Sequence, residues 1–204
     1  YGTIEPVPAE RVRSMEDGEV LAFGARELEF LHTRGHANHH FCVADSATDA
    51  IFTGDAFGLV YPALQQDGPF GMPSTSPTDF EPSLARDAVR RLVAAKPACV
   101  YPTHFGRVTA IETIAGQLLR HLDFAEGLLE SAATGDQPEA AIAETCRQHI
   151  RDYLQGVLDV RGNLGRDAAT WALLEVDIKL NAQGIAFAAA KRRRKAREAA
   201  RGED

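Results

Sequence analysis

Four of the seven histidines in this 204-residue chain fall within nine residues: His32, His36, His39 and His40. A short loop at a strand end can present several imidazoles together, and imidazole nitrogen is a common ligand for zinc, iron and manganese. Taken alone, the cluster reads equally as a solvated polar loop. Further on, Ile51-Phe52-Thr53-Gly54-Asp55 runs an apolar stretch into a glycine and a carboxylate. Two oxygens with several lone pairs let a carboxylate bridge two divalent cations, although an isolated Asp55 reads as a turn residue. Tyr101-Pro102-Thr103-His104 ends another apolar stretch in a histidine. His36, Asp55 and His104, spaced by 19 and 49 residues, thus follow three successive strand ends. Side chains at one edge of one sheet converge, so jointly they predict a centre of nitrogen and oxygen donors for divalent metal. Ser74, Thr75 and Ser76 have no evident partner base, which makes a serine nucleophile a weak alternative.

The elements that must position these residues follow from periodicity. Residues 19–23 and 27–32 read as two strands around a Gly24-Ala25-Arg26 turn, with Leu28, Phe30 and His32 alternating against Glu27, Glu29 and Leu31. Residues 40–44 and 50–53 are two further strands. A long irregular segment, 57–79, follows, of a length usually tied to function or mobility. Asp79 is placed to cap a helix over 82–96, whose stripe is Leu84, Ala88 and Leu92 flanked by Val89 and Val93. Residues 98–101 form a short strand running into His104. The remainder is Ala-rich and predicts three helices, over 109–131, 138–158 and from 167 into the tail, the last interrupted at Gly184. The expected division is an α/β part over residues 1–107 and a helical region over 108–204.

Composition narrows the class. Hydrophobic residues make up 45% and charged residues 25%, an ordinary globular balance, and no stretch approaches the roughly 18 apolar residues of a membrane span. The net charge of −7 argues against a nucleic-acid surface. Residues 191–204 carry seven Lys/Arg against three Asp/Glu and read as the solvated, fraying end of the last helix. Three cysteines, Cys42, Cys99 and Cys146, with no C-x-x-C pair, point to a reducing cytoplasm and buried thiols.

The run Thr33-Arg34-Gly35-His36-Ala37-Asn38-His39-His40, then Phe52-Thr53-Gly54-Asp55 and Pro102-Thr103-His104, resembles the metallo-β-lactamase-fold hydrolase superfamily, with its T-P-G-H-T-x-G-H and F-T-G-D segments and later strand-end histidine. Arg34, Ala37 and His39 depart from that pattern without removing a ligand. The resemblance implies that His36 binds a first metal, that Asp55 bridges two, and that His104 binds the second. His40 then stands behind them, ordering the loop rather than ligating. It implies zinc, two ions per complete domain, with iron or manganese as alternatives. The family's other signature, H-x-H-x-D-H, occurs nowhere in the chain. Residues up to 106 therefore resemble only the second half of an αββα sandwich. Opening at Tyr1 on a turn-rich stretch, the chain reads as part of a longer protein lacking about 100 residues of a typical domain. Such a piece is expected to bind metal poorly, to hydrolyse nothing, and to expose sheet surface prone to association, including a homodimer.

For the parent protein the resemblance implies hydrolysis of a small ester, thioester or lactone by a metal-bound hydroxide, since a bound water ionises near pH ~7. An iron persulfide dioxygenase, a nuclease and a non-catalytic scaffold are the competing readings. Phe57, Tyr61, Phe70 and Met72 either wall an apolar pocket for a small-molecule substrate or pack the 57–79 segment onto the body. Asp177 and Asn181, polar residues on an apolar helix face, either reach the site or bond a neighbouring helix.

Overall fold

The computed structural model describes residues 5–75, 79–104, 106–162 and 164–202; Ser76 lies outside them. Five strands, β1 (Val20–Phe23), β2 (Arg26–His32), β3 (Phe41–Asp45), β4 (Ala50–Gly54) and β5 (Cys99–Pro102), form one sheet in sequence order. The first four pair antiparallel, β1–β2 and β3–β4 through short turns and β2–β3 through the 33–40 loop. β4 and β5 pair parallel, with helix α1 (Pro82–Ala94) in the crossover between them. Helices α2 (Ile111–Thr134), α3 (Glu139–Asp159) and α4 (Ala168–Gly202) follow. The expected mixed α/β architecture is present, and a single hydrophobic cluster joins Leu31, Cys42, Ile51 and Val100 of the sheet to Val89 and Leu92 of α1, Leu118 and Leu122 of α2, and Ile178 and Ile185 of α4. Among the described residues no helix is long and apolar enough to cross a membrane.

Several local expectations are corrected. In β2 the deeply buried residue is Leu31; Leu28 and Phe30 lie half-buried on the opposite face and His32 is exposed. That second face also carries Phe41 and Phe52, each 48% exposed, so both sheet faces are apolar and alternation alone does not say which meets the helices. Asp79 does not cap α1: the cap position is Glu81, without a side-chain bond, and Asp79 pairs instead with Lys191 at 3.3 Å. Leu84, in the first turn of α1, stays 39% exposed. Gly35 sits so close that a Cβ there would meet the Ala85 nitrogen at 2.2 Å, and its carbonyl accepts the Glu81 N–H at 2.9 Å. The loop that carries His36 is thereby docked on α1.

Helix α4 runs unbroken through Gly184, which is buried in a row with Ala182, Ile185, Ala186 and Ala189. A glycine costs a helix about 1 kcal/mol, less than the close packing that this small-residue face makes against its neighbours. The basic run is not simply solvated. Lys191 and Arg192 pair with Asp79 and Glu81, and Arg193 donates to the carbonyls of Ala132 and Gln137, groups exposed where α2 ends.

Candidate metal centre

Three strand ends deliver the site. β2 ends at His32, and the loop to β3 returns through Thr33 N–H to His40 carbonyl at 3.0 Å. β4 ends at Gly54, which takes a φ of +52° and turns the chain so that Asp55 projects at the sheet edge. β5 ends at Pro102, and Thr103 N–H donates to the Gly54 carbonyl at 3.1 Å, bringing His104 alongside.

At this edge His36, Asp55 and His104 come together. His36 Nε2 is 3.5 Å from Asp55 Oδ2, and His104 Nε2 is 3.2 Å from Asp55 Oδ1. Each imidazole therefore faces a different oxygen of one carboxylate. Two donors bound to one tetrahedral ion at zinc distances stand about 3.3 Å apart, so both spacings suit ligands sharing an ion. His36 Nδ1 lies 3.0 Å from the Ser74 carbonyl. A carbonyl only accepts, so Nδ1 carries the proton and Nε2 turns a lone pair toward Asp55. Asp55 Oδ1 is buried and accepts no hydrogen bond among the described residues. A lone pair opposite one carboxylate oxygen, with the second oxygen buried, accepting no hydrogen bond and facing His104 Nε2, is an arrangement that a cation relieves. The residues fit divalent metal in type and spacing. Among the described residues no group of three His, Cys, Asp or Glu side chains closes around one ion.

His40 lies beneath Asp55. Its Nε2 accepts the Asp55 backbone N–H at 3.0 Å, so that nitrogen is unprotonated. Nδ1 then donates to Thr33 Oγ1 at 2.9 Å, which leaves the Thr33 hydroxyl to donate to Cys42 Sγ at 3.1 Å and the thiol to donate to the Thr53 carbonyl at 3.3 Å. His40 thus has both ring nitrogens committed, one to the Thr33 hydroxyl and one to the backbone amide of Asp55. Burial holds its pKa below the ordinary histidine value, with nearby His36 adding to the effect and Asp55 opposing it. Burial likewise pushes the Cys42 thiol up to about 11, against the Thr33 bond. The sequence placed Thr33 in the histidine run and Cys42 among the buried thiols, with no sign of their link to His40. His32 bonds Asp17 and the Met15 carbonyl, away from the centre, and His39 is exposed.

Of the expected pocket residues, Tyr61 and Asp177 pair with each other, and Asp177 lies within electrostatic range of His104. Tyr61 Oη donates to Asp177 Oδ2 at 2.7 Å. The phenol pKa is raised by burial and by that carboxylate; Asp177 is also raised by burial, opposed by the Tyr61 bond and by the charge of His104. Phe57, Phe70 and Met72 are fully buried in the core and pack the segment onto the body. Asn181 is buried too. Its side chain bonds Pro73 and Thr75 rather than facing open space.

Residues 3–104 match the family model of the metallo-beta-lactamase superfamily. The metallo-beta-lactamase fold-containing protein ST1585 of Sulfurisphaera tokodaii is 27% identical over 110 residues, covering 53% of this chain and 39% of that protein. The solved structure of the archaeal metallo-beta-lactamase superfamily protein ST1585 from Sulfolobus tokodaii superposes with a TM-score of 0.54 at 21% identity, over 90% of this chain and 55% of that one. A beta-lactamase domain protein from Burkholderia ambifaria superposes with a TM-score of 0.50 at 18% identity, over 89% of this chain and 48% of that one. The chain thus spans about half or less of the length of these relatives.

Proposed function

The chain belongs to the metallo-β-lactamase superfamily, and from that premise we propose that it carries the Asp-bridged part of a metal-dependent hydrolase centre acting on a small ester, thioester or lactone, with zinc the favoured ion. The observation that carries this reading is the splayed contact of Asp55, with one oxygen toward His36 Nε2 and the other toward His104 Nε2. Bound divalent ions supply Lewis acidity and ionise water near pH ~7. The chain's own residues prepare the donors. Ser74 fixes the His36 ring with Nε2 bare, and His40 anchors the amide of Asp55. Tyr61 and Asp177 are assigned to the substrate side, where Asp177 lies close enough to His104 for their charges to interact.

Two donors per ion are fewer than the three protein ligands of a catalytic zinc site. We therefore assign turnover to the whole domain, and to these 204 residues alone weak metal binding without hydrolysis. The half-exposed sheet face of Phe41 and Phe52 supports the same reading, as surface for the rest of the domain or for a second copy to cover.

The test is elemental analysis of the complete protein together with a panel of ester, thioester, lactone and phosphodiester substrates. His36→Ala and Asp55→Ala are expected to lose metal and turnover while keeping the fold. Full turnover in the Asp55 variant contradicts the bridging role.

A further inference from the structure

We propose that Asn181, on the C-terminal helix α4, is a positioning residue for His36, acting through the 73–75 segment. Asn181 is 6% exposed and is used from both ends of its amide. Its Nδ2 donates to the Pro73 carbonyl at 2.9 Å, and its Oδ1 accepts the Thr75 N–H at 2.8 Å. Its own backbone carbonyl accepts the Thr75 hydroxyl at 2.9 Å. These bonds flank Ser74 on both sides and leave its carbonyl to accept the His36 Nδ1–H at 3.0 Å.

Among the described residues, the hydrogen bonds of 73–75 run only to Asn181 and His36. The segment belongs to the irregular stretch between β4 and α1, tied upstream by the Leu59–Met72 backbone pairing and by Gln117, which accepts the Gly71 N–H and donates to the Pro69 carbonyl. One helical turn earlier on α4, Asp177 accepts from Tyr61, so the same helix holds this stretch at a second point. Leucine has nearly the shape of asparagine but neither bond, so at position 181 it frees Pro73 and Thr75 and with them the Ser74 carbonyl. The ring of His36 then loses the partner that sets both its tautomer and its aim. Removing such a supporting bond typically weakens a metal site by about 10- to 100-fold. The helical region thus contributes to the His36 half of the centre without touching it.

This rests on the metal reading above, and the experiment separates the two. The 204-residue chain is prepared with 15N-labelled histidine as wild type, Asn181→Leu, Asn181→Asp and the core control Ile185→Val. Ring 15N shifts report the tautomers, a Zn2+ titration follows the His36 and His104 rings separately, and thermal melts report folding. Wild type is expected to show His36 protonated at Nδ1. Asn181→Leu is expected to give mixed His36 tautomers and a Zn2+ midpoint at His36 raised by about 10-fold or more, with His104 moved less. Asn181→Asp, which keeps the acceptor for Thr75 N–H, falls between, and Ile185→Val leaves the tautomer unchanged. A folded Asn181→Leu with wild-type His36 tautomer overturns the proposal, as does an equal loss at His36 and His104 that Ile185→Val reproduces. If Zn2+ moves neither ring in wild type, the metal reading fails, and the tautomer comparison alone decides the role of Asn181.

Discussion

The backbone amide of Asp55 donates to Nε2 of His40 across 3.0 Å, so the residue expected to bridge two ions is held from behind by a histidine whose Nε2 is already engaged. The bond requires a bare Nε2 and a protonated Nδ1, and the Thr33 hydroxyl is placed to receive that proton at 2.9 Å. Glutamine can supply an acceptor and a donor in similar places; leucine supplies neither. His40→Leu is therefore expected to speed hydrogen exchange at the Asp55 amide and to weaken Zn2+ binding by about 10- to 100-fold, with His40→Gln closer to wild type. Equal behaviour of the two variants would remove His40 from the account.

Gly54 links the same pieces. It holds a φ of +52°, and a Cβ there would lie 2.5 Å from His40 Nε2. Gly54→Ala combines a strained backbone with a displaced imidazole and is expected to cost about 1–3 kcal/mol in a denaturant melt. It should also abolish the Zn2+ response of the His36 and His104 rings. A variant as stable as wild type and still responsive contradicts the close approach.

How much of this was legible in the sequence depends on how local each feature is. His36, Asp55 and His104 were readable because each is a chemically distinct residue at the end of an apolar run, and a strand end fixes where it goes. The face of β2 was not. Leu28 and Phe30 look as buried as Leu31, and only the packing of α1 chooses between them. Gly184 looked like a helix break because propensity is local, whereas the neighbours that override it lie on other helices. Asn181 looked anomalous for a sound reason, but its partners are 106 and 108 residues away and no periodicity names them.

His121 on α2 carried no sequence signal at all, since it falls in the apolar stripe between Leu118 and Leu122. It is 5% exposed, packed edge-on against Tyr153 at 5.2 Å, and burial, with Arg120 adding to it, lowers its pKa to about 4. The native state thus favours the neutral ring, while the unfolded chain takes up a proton near the ordinary histidine value of about 6.5. Stability is full above that pH and falls as the pH drops toward 4, by up to about 3 kcal/mol. Urea midpoints measured from pH 7 to 4 should show this loss, and His121→Phe should flatten it. An unchanged slope in the variant would place the acid sensitivity elsewhere.

The exposed side of the sheet makes a separate prediction. Phe41 and Phe52 are each 48% exposed, and Phe52 stacks on Tyr101 with ring centroids 5.2 Å apart. The 204-residue chain is expected to associate with rising concentration in sedimentation experiments, and Phe41→Ser with Phe52→Ser to shift it toward monomer without lowering helicity. Association unaffected by both changes points to a different surface.

The most direct measurement is a Zn2+ titration of the 15N-histidine-labelled chain, in wild type and in Asp55→Ala, read at the ring nitrogens of His36, His40 and His104. The account predicts that Nε2 of His36 and of His104 both respond in wild type, that His40 stays silent, and that Asp55→Ala removes the response of both rings. A response centred on His40, or one that survives intact without the Asp55 carboxylate, would contradict it.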